Sequence, residues 1–82
     1  MAEYHMHSPL PGTFYRKPSP DADNYANPGD RVEAGTAIGL VEVMKQFSEL
    51  HAERSGRVLA FHAEDGDPVE PGQLLVVIDT DA

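Results

Sequence analysis

The sequence predicts an all-β fold, a small sandwich or flattened barrel made of two similar halves. Its 82 residues suffice for one small domain and no more, so residues 1–82 are treated as a single unit. Seven glycines and seven prolines, in a chain with 40% hydrophobic residues, indicate short strands and many turns. No stretch carries the i, i+3, i+4 apolar spacing of a helix over a useful length.

The two halves are related by an internal repeat with an offset of 37 residues. GDRVEAGTAIGLVEV, starting at Gly29, aligns with GDPVEPGQLLVVIDT, starting at Gly66, with five identical positions. Farther upstream Gly12 aligns with Gly56 at an offset of 44, so the first half holds 44 − 37 = 7 additional residues. These lie in KPSPDADNYANPG, a polar, proline-rich stretch that predicts a protruding loop. Two such halves predict quasi-twofold symmetry.

Strands are predicted where β-branched and other apolar residues lie between glycine turns. In chain order these are TAIGLVEV, FSELHAE (which alternates imperfectly), GRVLAFHAE and QLLVVIDT. Turns are predicted at 28–29, 65–66 and 71–72, and we expect positive φ angles at Gly29, Gly66 and Gly72. The connection between the halves then forms a hairpin tip, and Lys45 lies at that tip.

The charge and composition exclude several kinds of partner. The formal net charge is −8, from 14 acidic and 6 basic residues, so the surface repels phosphate backbones and anionic lipids. No apolar run approaches the roughly 20 residues of a membrane span, and the N-terminus lacks the basic-then-apolar order of a secretion signal. We therefore expect a cytoplasmic protein that binds neither nucleic acid nor membrane. The absence of cysteine excludes disulfides and thiolate metal sites.

The predicted hairpin tip carries one of the two lysines of the chain. GLVEVMKQFSEL places Lys45 between two apolar runs, and Lys17 is the other lysine. A lysine at a turn is usually an ordinary solvated residue. Its position at the junction of two core strands, at the centre of the repeat, suggests instead an amine displayed for attachment of another group.

The residues around the tip and in the loop resemble a known family. VEVMKQ resembles the Ala-Met-Lys-Met attachment motif of biotinyl domains, and SPLPGTFYRKPSPDADNYANPGDRV is similar to the matching region of the biotin carboxyl carrier subunit of bacterial acetyl-CoA carboxylase. The similarity runs from about Ser8 to Asp79. It implies a flattened barrel of two four-stranded antiparallel sheets. It also implies a protruding thumb, at about 17–28, in the place of the seven extra residues.

The resemblance implies roles for individual residues. Lys45 would be acylated by biotin, with Met44 as the preceding methionine of the motif and Glu42 as the glutamate that commonly precedes it. Two positions depart from the motif: Val43 replaces the usual alanine, and Gln46 replaces the usual methionine or other apolar residue. The thumb and its base correspond to Pro18, Ser19, Pro20 and Asp21, continuing to Asp23, and to Thr13 and Tyr15.

The resemblance also implies the function of a carrier that is not itself an enzyme. Biotin on Lys45 would shuttle a carboxyl group from a biotin carboxylase to a carboxyltransferase acting on an acyl-CoA. The expected acceptor is acetyl-CoA, as in fatty acid synthesis. A biotin protein ligase would attach the cofactor, and no residue of the chain would be catalytic because the reacting atom belongs to the cofactor. The thumb could fold over the biotin head group between its visits to the two enzymes.

Other functions remain open from the residues. The chain could carry biotin for another biotin-dependent carboxylase, such as one acting on urea or a different acyl-CoA. It could be a lipoyl-type carrier, although lipoyl domains usually have Asp-Lys-Ala at the target, and Met44 and the thumb favour biotin. It could also be an unmodified adaptor that uses the same barrel for binding.

The four histidines predict no metal site. His5 and His7, at i and i+2, could share a strand face, but two ligands make a weak site, so ordinary surface histidines are expected. His51 and His62 are expected on neighbouring strands, and the sequence assigns no partner to either. No local signature of a catalytic triad is present.

Overall fold

The computed structural model describes residues 2–80, and within this range it contains eight strands and no helix. They form two four-stranded sheets with the orders β1-β8-β6-β3 and β5-β4-β2-β7, and every pairing is antiparallel. The predicted all-β architecture is confirmed. The strands are β1 (Glu3–His7), β2 (Gly12–Tyr15), β3 (Arg31–Val32), β4 (Ala37–Val43), β5 (Gln46–His51), β6 (Gly56–Phe61), β7 (Asp67–Val69) and β8 (Leu74–Asp79).

The hydrophobic core lies between the two sheets. Its largest fully buried side chains come from one strand pair in each sheet: β2 and β4 on one side, β6 and β8 on the other. Burial of each such side chain contributes roughly 1.5–3 kcal/mol, so these strands hold the sandwich together. The residues are Phe14, Ile38, Val41, Val58, Leu75, Val76 and Ile78.

The internal repeat is visible in the backbone as the predicted quasi-twofold symmetry. The Gly29 N–H donates to the Val58 carbonyl (2.8 Å), and the equivalent Gly66 N–H donates to the Phe14 carbonyl (2.7 Å). The positive φ angles expected at Gly29, Gly66 and Gly72 are confirmed at 94°, 91° and 83°. The repeated glycines therefore fix the turns that lead into the same strands of each half.

A pair of aspartates stabilises these turns in both halves. Asp30 accepts a hydrogen bond from the Asn27 N–H (3.0 Å), and Asp67 accepts one from the Glu64 N–H (2.9 Å). Each aspartate thus makes two bonds to the residue three positions earlier, because its carboxylate accepts that residue's N–H and its own N–H donates to that residue's carbonyl. The two interactions lie 37 residues apart, which is the offset of the internal repeat, and the Gly-Asp pair occurs at both places.

The prediction that His51 and His62 lie on neighbouring strands is wrong. His51 ends β5 at the edge of one sheet, whereas His62 follows β6, which lies in the other sheet between β8 and β3. The structure supplies the partner of His51 that the sequence does not assign: its Nε2 lies 3.3 Å from Glu49 Oε1. Among residues 2–80 no group of three or more His, Cys, Asp or Glu side chains is arranged to hold a metal ion.

The part of the chain that the structure describes contains no helix long and apolar enough to cross a membrane.

Two glycines stand where strands approach each other most closely. A Cβ on Gly12 would collide with the Glu42 carbonyl oxygen, and a Cβ on Gly56, its twofold equivalent, would collide with the Asp79 carbonyl oxygen. The obstacle is backbone in both cases, so rotation of a side chain cannot relieve it.

We expect Gly12→Ala and Gly56→Ala each to lower the free energy of unfolding by about 1–3 kcal/mol, as overpacking does in a close-packed interior. Urea unfolding of the two variants beside the parent measures this. Because the halves are equivalent, the two losses should be similar. A loss below about 0.5 kcal/mol for either variant would contradict the close approach of the strands.

Candidate functional site

The hairpin between β4 and β5 ends in a two-residue turn, which we call the tip. Met44 and Lys45 form it, and the pair Val43–Gln46 closes it. Their φ angles are 51° and 67°, which makes them the non-glycine residues with positive φ between residues 2 and 80. Positive φ at both central positions defines a type I′ turn, whose twist matches antiparallel strands but favours Asn and Gly. Side chains in this conformation cost on the order of 1–3 kcal/mol each.

The tip projects both of its side chains into solvent. Met44 is 91% exposed, and Lys45 is also exposed. Lys45 has no hydrogen-bond or ion-pair partner within the described range, residues 2–80. The strands beneath it are paired continuously from Leu40 to Val43, so the backbone that carries the free amine is held by a ladder of hydrogen bonds.

The two residues that depart from the biotinyl motif point in different directions. Val43 is half-buried and packs against the core cluster, and its Cγ2 would lie 3.0 Å from a Cβ on Gly12. The methyl groups of Val43 therefore lie next to Gly12 of β2, the strand beside β4 in the sheet. Gln46 is exposed and faces water. Neither residue covers the amine.

The acidic residues on either side of the tip are engaged elsewhere. The Tyr15 hydroxyl donates to Glu42 Oε1 at 3.0 Å, and Glu49 Oε1 lies 3.3 Å from His51 Nε2. The hydrogen bond to Glu42 is the main reason why the pKa of Tyr15 is raised above its usual 10.0. Lys45 thus remains unpaired although two carboxylates flank the tip in sequence.

Residues 16–30 connect β2 to β3 without forming a strand, and the predicted thumb, 17–28, lies in this connection. The connection folds against the outer side of the sheet that carries the tip. Leu40 shows the effect: it is only 6% exposed, yet it does not belong to the core cluster between the sheets. It lines a cleft between the connection and the sheet instead.

This cleft has a volume of about 390 Å³. One wall is formed by the thumb and the other by outward-facing side chains of β2, β4 and β5. The rings of Tyr15 and Phe47 lie in it with centroids 6.4 Å apart. Phe47 is 61% exposed and follows Lys45 by two residues, so the cleft opens close to the tip. The lining residues are Tyr15, Lys17, Pro18, Ser19, Pro20, Leu40, Phe47 and Asp65.

Arg16 fastens the two ends of the connection to the barrel. Its guanidinium Nη2 donates to the Ala26 carbonyl and to Asn27 Oδ1, both at 3.3 Å. The same guanidinium lies 4.0 Å from the centroid of the Phe61 ring, a cation–π contact. Its backbone N–H donates to Asp65 Oδ1 at 2.7 Å. The thumb is therefore anchored to the barrel at both its start and its end.

A tyrosine near the end of the connection makes a further contact with the sheet. The Tyr25 N–H donates to the Arg16 carbonyl at 2.8 Å, which closes the base of the connection. Burial raises the pKa of Tyr25, and the nearby Glu49 carboxylate raises it further. The end of the connection thus reaches β5, the strand that follows the tip.

The structure brings some of the predicted site residues together and leaves others apart. Pro18, Ser19 and Pro20 line the cleft, whereas Asp21 is exposed outside it. Thr13 pairs with Glu42 across β2 and β4 and does not line the cleft.

Sequence reasoning missed four residues of this region: Arg16, Leu40, Phe47 and Asp65. Phe47 could have been found, because an aromatic residue two positions after a displayed lysine stands out in the sequence. The other three carry no local pattern, since their roles depend on contacts between distant segments.

A protein-family model described as biotin-requiring enzyme matches residues 4–78. The chain belongs to this family. The biotin carboxyl carrier protein of acetyl-CoA carboxylase from Chlamydia pneumoniae is 47% identical over 75 residues, which cover 92% of this chain and 45% of that protein. The chloroplastic biotin carboxyl carrier protein of acetyl-CoA carboxylase 2 from Arabidopsis thaliana is 41% identical, over 89% of this chain and 29% of its own length.

A solved structure shows the same fold. The crystal structure of the Kluyveromyces lactis urea carboxylase matches with a TM-score of 0.80 and 32% identity, over 96% of this chain and 6% of that chain. The chain spans less than half the length of each of these relatives. The family match therefore accounts for the fold of residues 4–78, while the relatives contain much additional sequence.

We expect Met44→Gly to stabilise the domain by about 1 kcal/mol, because glycine adopts positive φ without the steric cost that methionine has there. Gln46→Gly is the matched control. It introduces glycine two residues later, in strand conformation, and should destabilise the domain by about 0.5–1 kcal/mol. Urea unfolding measures both. If Met44→Gly destabilises as much as the control, the tip is not strained.

The raised pKa of Tyr15 predicts a loss of stability at alkaline pH. A group whose pKa is higher in the folded state contributes stability that is complete below its unfolded value of 10.0 and is lost as the pH rises through the raised value. In Glu42→Ala, the NMR titration midpoint of the Tyr15 ring should fall towards 10. The Tyr4 ring is the internal control, because burial and Glu53 raise its pKa instead. An unchanged Tyr15 midpoint would contradict the assignment.

Proposed function

We propose that this chain is the carrier domain of a biotin-dependent carboxylase, with biotin attached to Lys45. The observation that carries the proposal is the tip itself. An exposed amine without a partner stands on a two-residue turn whose backbone is held by paired strands. An ordinary surface lysine needs no such arrangement. A strained turn with bulky residues is the kind of local feature that occurs at functional sites.

The residues present fit attachment of biotin at this place. Acylation of Lys45 would form an amide bond between Nζ and the carboxyl carbon of biotin, while Nζ loses its protons down to one and the group that activates the carboxyl carbon leaves. The positive charge of the lysine is thereby removed. The neighbouring carboxylates of Glu42 and Glu49 already have Tyr15 and His51 as partners, so losing this charge leaves neither carboxylate without a partner. A biotin protein ligase would activate the carboxyl group of biotin and bind the tip as a rigid recognition element.

The chemistry of the reaction would come from the cofactor. Biotin held by Lys45 would supply the ureido ring that carries the carboxyl group, so the chain itself would need to supply no acid, base or nucleophile. The contribution of the domain is to hold Lys45 in a fixed pose and to keep the cofactor close to its partners. Tethering raises the effective concentration of the head group at each partner site.

The proposed partners are a biotin carboxylase and a carboxyltransferase, with acetyl-CoA as the expected acceptor. The names of the two carrier-protein relatives support acetyl-CoA, at 47% and 41% identity. The urea carboxylase structure, at 32% identity, keeps a urea-type acceptor as the alternative. A cytoplasmic location is part of the same proposal. Assays with each purified carboxyltransferase would decide between the acceptors.

We further propose that the cleft beneath the thumb receives the biotin head group between transfers. Phe47 follows Lys45 by two residues, which corresponds to about 7 Å along a strand. The lysine side chain and the acid chain of biotin together are longer than this, so the head group can reach the cleft. The rings of Tyr15 and Phe47 and the prolines Pro18 and Pro20 offer apolar walls for it.

Attachment is tested by incubating the domain with a biotin protein ligase, ATP and biotin, followed by intact mass and peptide mapping. The parent and Lys17→Arg should gain the mass of one biotin, mapped to the peptide that contains Lys45. Lys45→Arg should gain none, because arginine keeps the charge but cannot form the amide. Biotin on the Lys17 peptide, or labelling that survives in Lys45→Arg, would contradict the assignment. A parent that accepts lipoate but not biotin would indicate a lipoyl-type carrier.

A further inference from the structure

The cleft beneath the thumb contains two ionisable side chains of opposite charge, and only one of them is engaged. Asp65 accepts the Arg16 backbone N–H at 2.7 Å. Lys17 is half-buried and, within residues 2–80, makes no hydrogen bond or ion pair. Lys17 and Asp65 do not come within salt-bridge distance of each other. The cleft therefore presents one cation that has no ion-pair partner among residues 2–80, together with a carboxylate whose bound amide is uncharged.

The other groups in the cleft have little to offer an anion. The Tyr15 hydroxyl already donates to Glu42, Ser19 offers only an uncharged hydroxyl, and Asp65 is itself negatively charged. The remaining walls are apolar: Pro18, Pro20, Leu40 and Phe47. A carboxylate that leaves water for such surroundings loses hydration, which costs several kcal/mol unless a cation replaces it. Over the whole chain the net charge is −8, which also disfavours a bound anion. Lys17 is the lining residue able to offset both effects.

We propose that Lys17 makes the cleft selective for the carboxylated, anionic form of the biotin head group over the uncarboxylated, neutral form. This inference rests on the proposed function, since it requires biotin on Lys45. The ammonium group of Lys17 pairs with the new carboxylate, while the apolar walls contact the ring in both forms. The cleft then binds the carboxylated head group, the loaded form, more strongly than the uncarboxylated one. The loaded form is thereby kept from bulk water between two partner enzymes.

The inference is tested by NMR on the ¹⁵N-labelled domain carrying biotin on Lys45. A catalytic amount of biotin carboxylase with MgATP and bicarbonate generates the loaded form. In that reaction a ureido nitrogen loses its proton and bonds to the carbon of bicarbonate, and ATP becomes ADP and phosphate by taking up the displaced oxygen. The amide resonances of Lys17, Ser19 and Phe47 report occupancy of the cleft. Intact mass reports attachment separately.

Three variants separate charge from shape at this position. Lys17→Met removes the charge and keeps an apolar stem, Lys17→Arg keeps the charge, and Arg54→Met removes the same charge from a residue that does not line the cleft. In the parent, in Lys17→Arg and in Arg54→Met, carboxylation should raise the occupied fraction. In Lys17→Met this preference should fall about two- to fivefold, the range expected for a partly exposed ion pair. In the parent, the preference for the carboxylated form should weaken as the salt concentration rises from about 0.01 M to about 1 M.

The outcomes distinguish this inference from the function on which it rests. If Lys17→Met retains the preference shown by the parent and by Arg54→Met, the role of Lys17 is wrong while the carrier function stands. If the resonances of the cleft change neither on biotinylation nor on carboxylation, although the mass shows biotin on Lys45, the head group does not enter the cleft and the inference is overturned. If the mass shows no biotin, the proposed function itself fails.

Discussion

The candidate site depends on one local constraint, the two-residue turn that joins β4 to β5. Its φ angles of 51° and 67° are imposed on Met44 and Lys45, which have side chains that disfavour them. Such a turn persists only where its surroundings determine it, because its cost is on the order of 1–3 kcal/mol per residue. Here β4 is buried along most of its length, with Ile38 and Val41 in the core. The pairing of β4 with β5 transmits that rigidity to the tip.

The site arises from a symmetric scaffold and an asymmetric insertion. The repeat builds both halves with the same turns, so that Gly12 and Gly56 occupy equivalent close contacts between strands. Only the first half carries the seven additional residues, and they fold over the outer face of the sheet that bears the tip. Arg16 anchors this segment at both ends through hydrogen bonds and its contact with Phe61. The symmetric scaffold carries the hairpin, and the insertion explains why a cleft lies beside it.

Much of this architecture could be predicted from the sequence because its causes are local. The repeat located the insertion and the junction at Lys45, and the glycine turns gave the correct sign of φ at Gly29, Gly66 and Gly72. The roles of Arg16 and Leu40 could not be predicted, because each depends on which segment packs against an outer face of the sheet. The expectation for His51 and His62 failed for a related reason: succession along the chain does not determine which sheet a strand joins.

The most direct test of the account is the backbone mobility of the tip in solution. The central claim is that the paired strands hold the backbone of Lys45 in a single pose, so that the proposed modifying enzyme meets a fixed attachment point. The ¹⁵N relaxation order parameters of the Met44 and Lys45 amides should lie near those of β4, at about 0.85. Values below about 0.6 for both amides, with β4 remaining rigid, would show a mobile loop and contradict the claim.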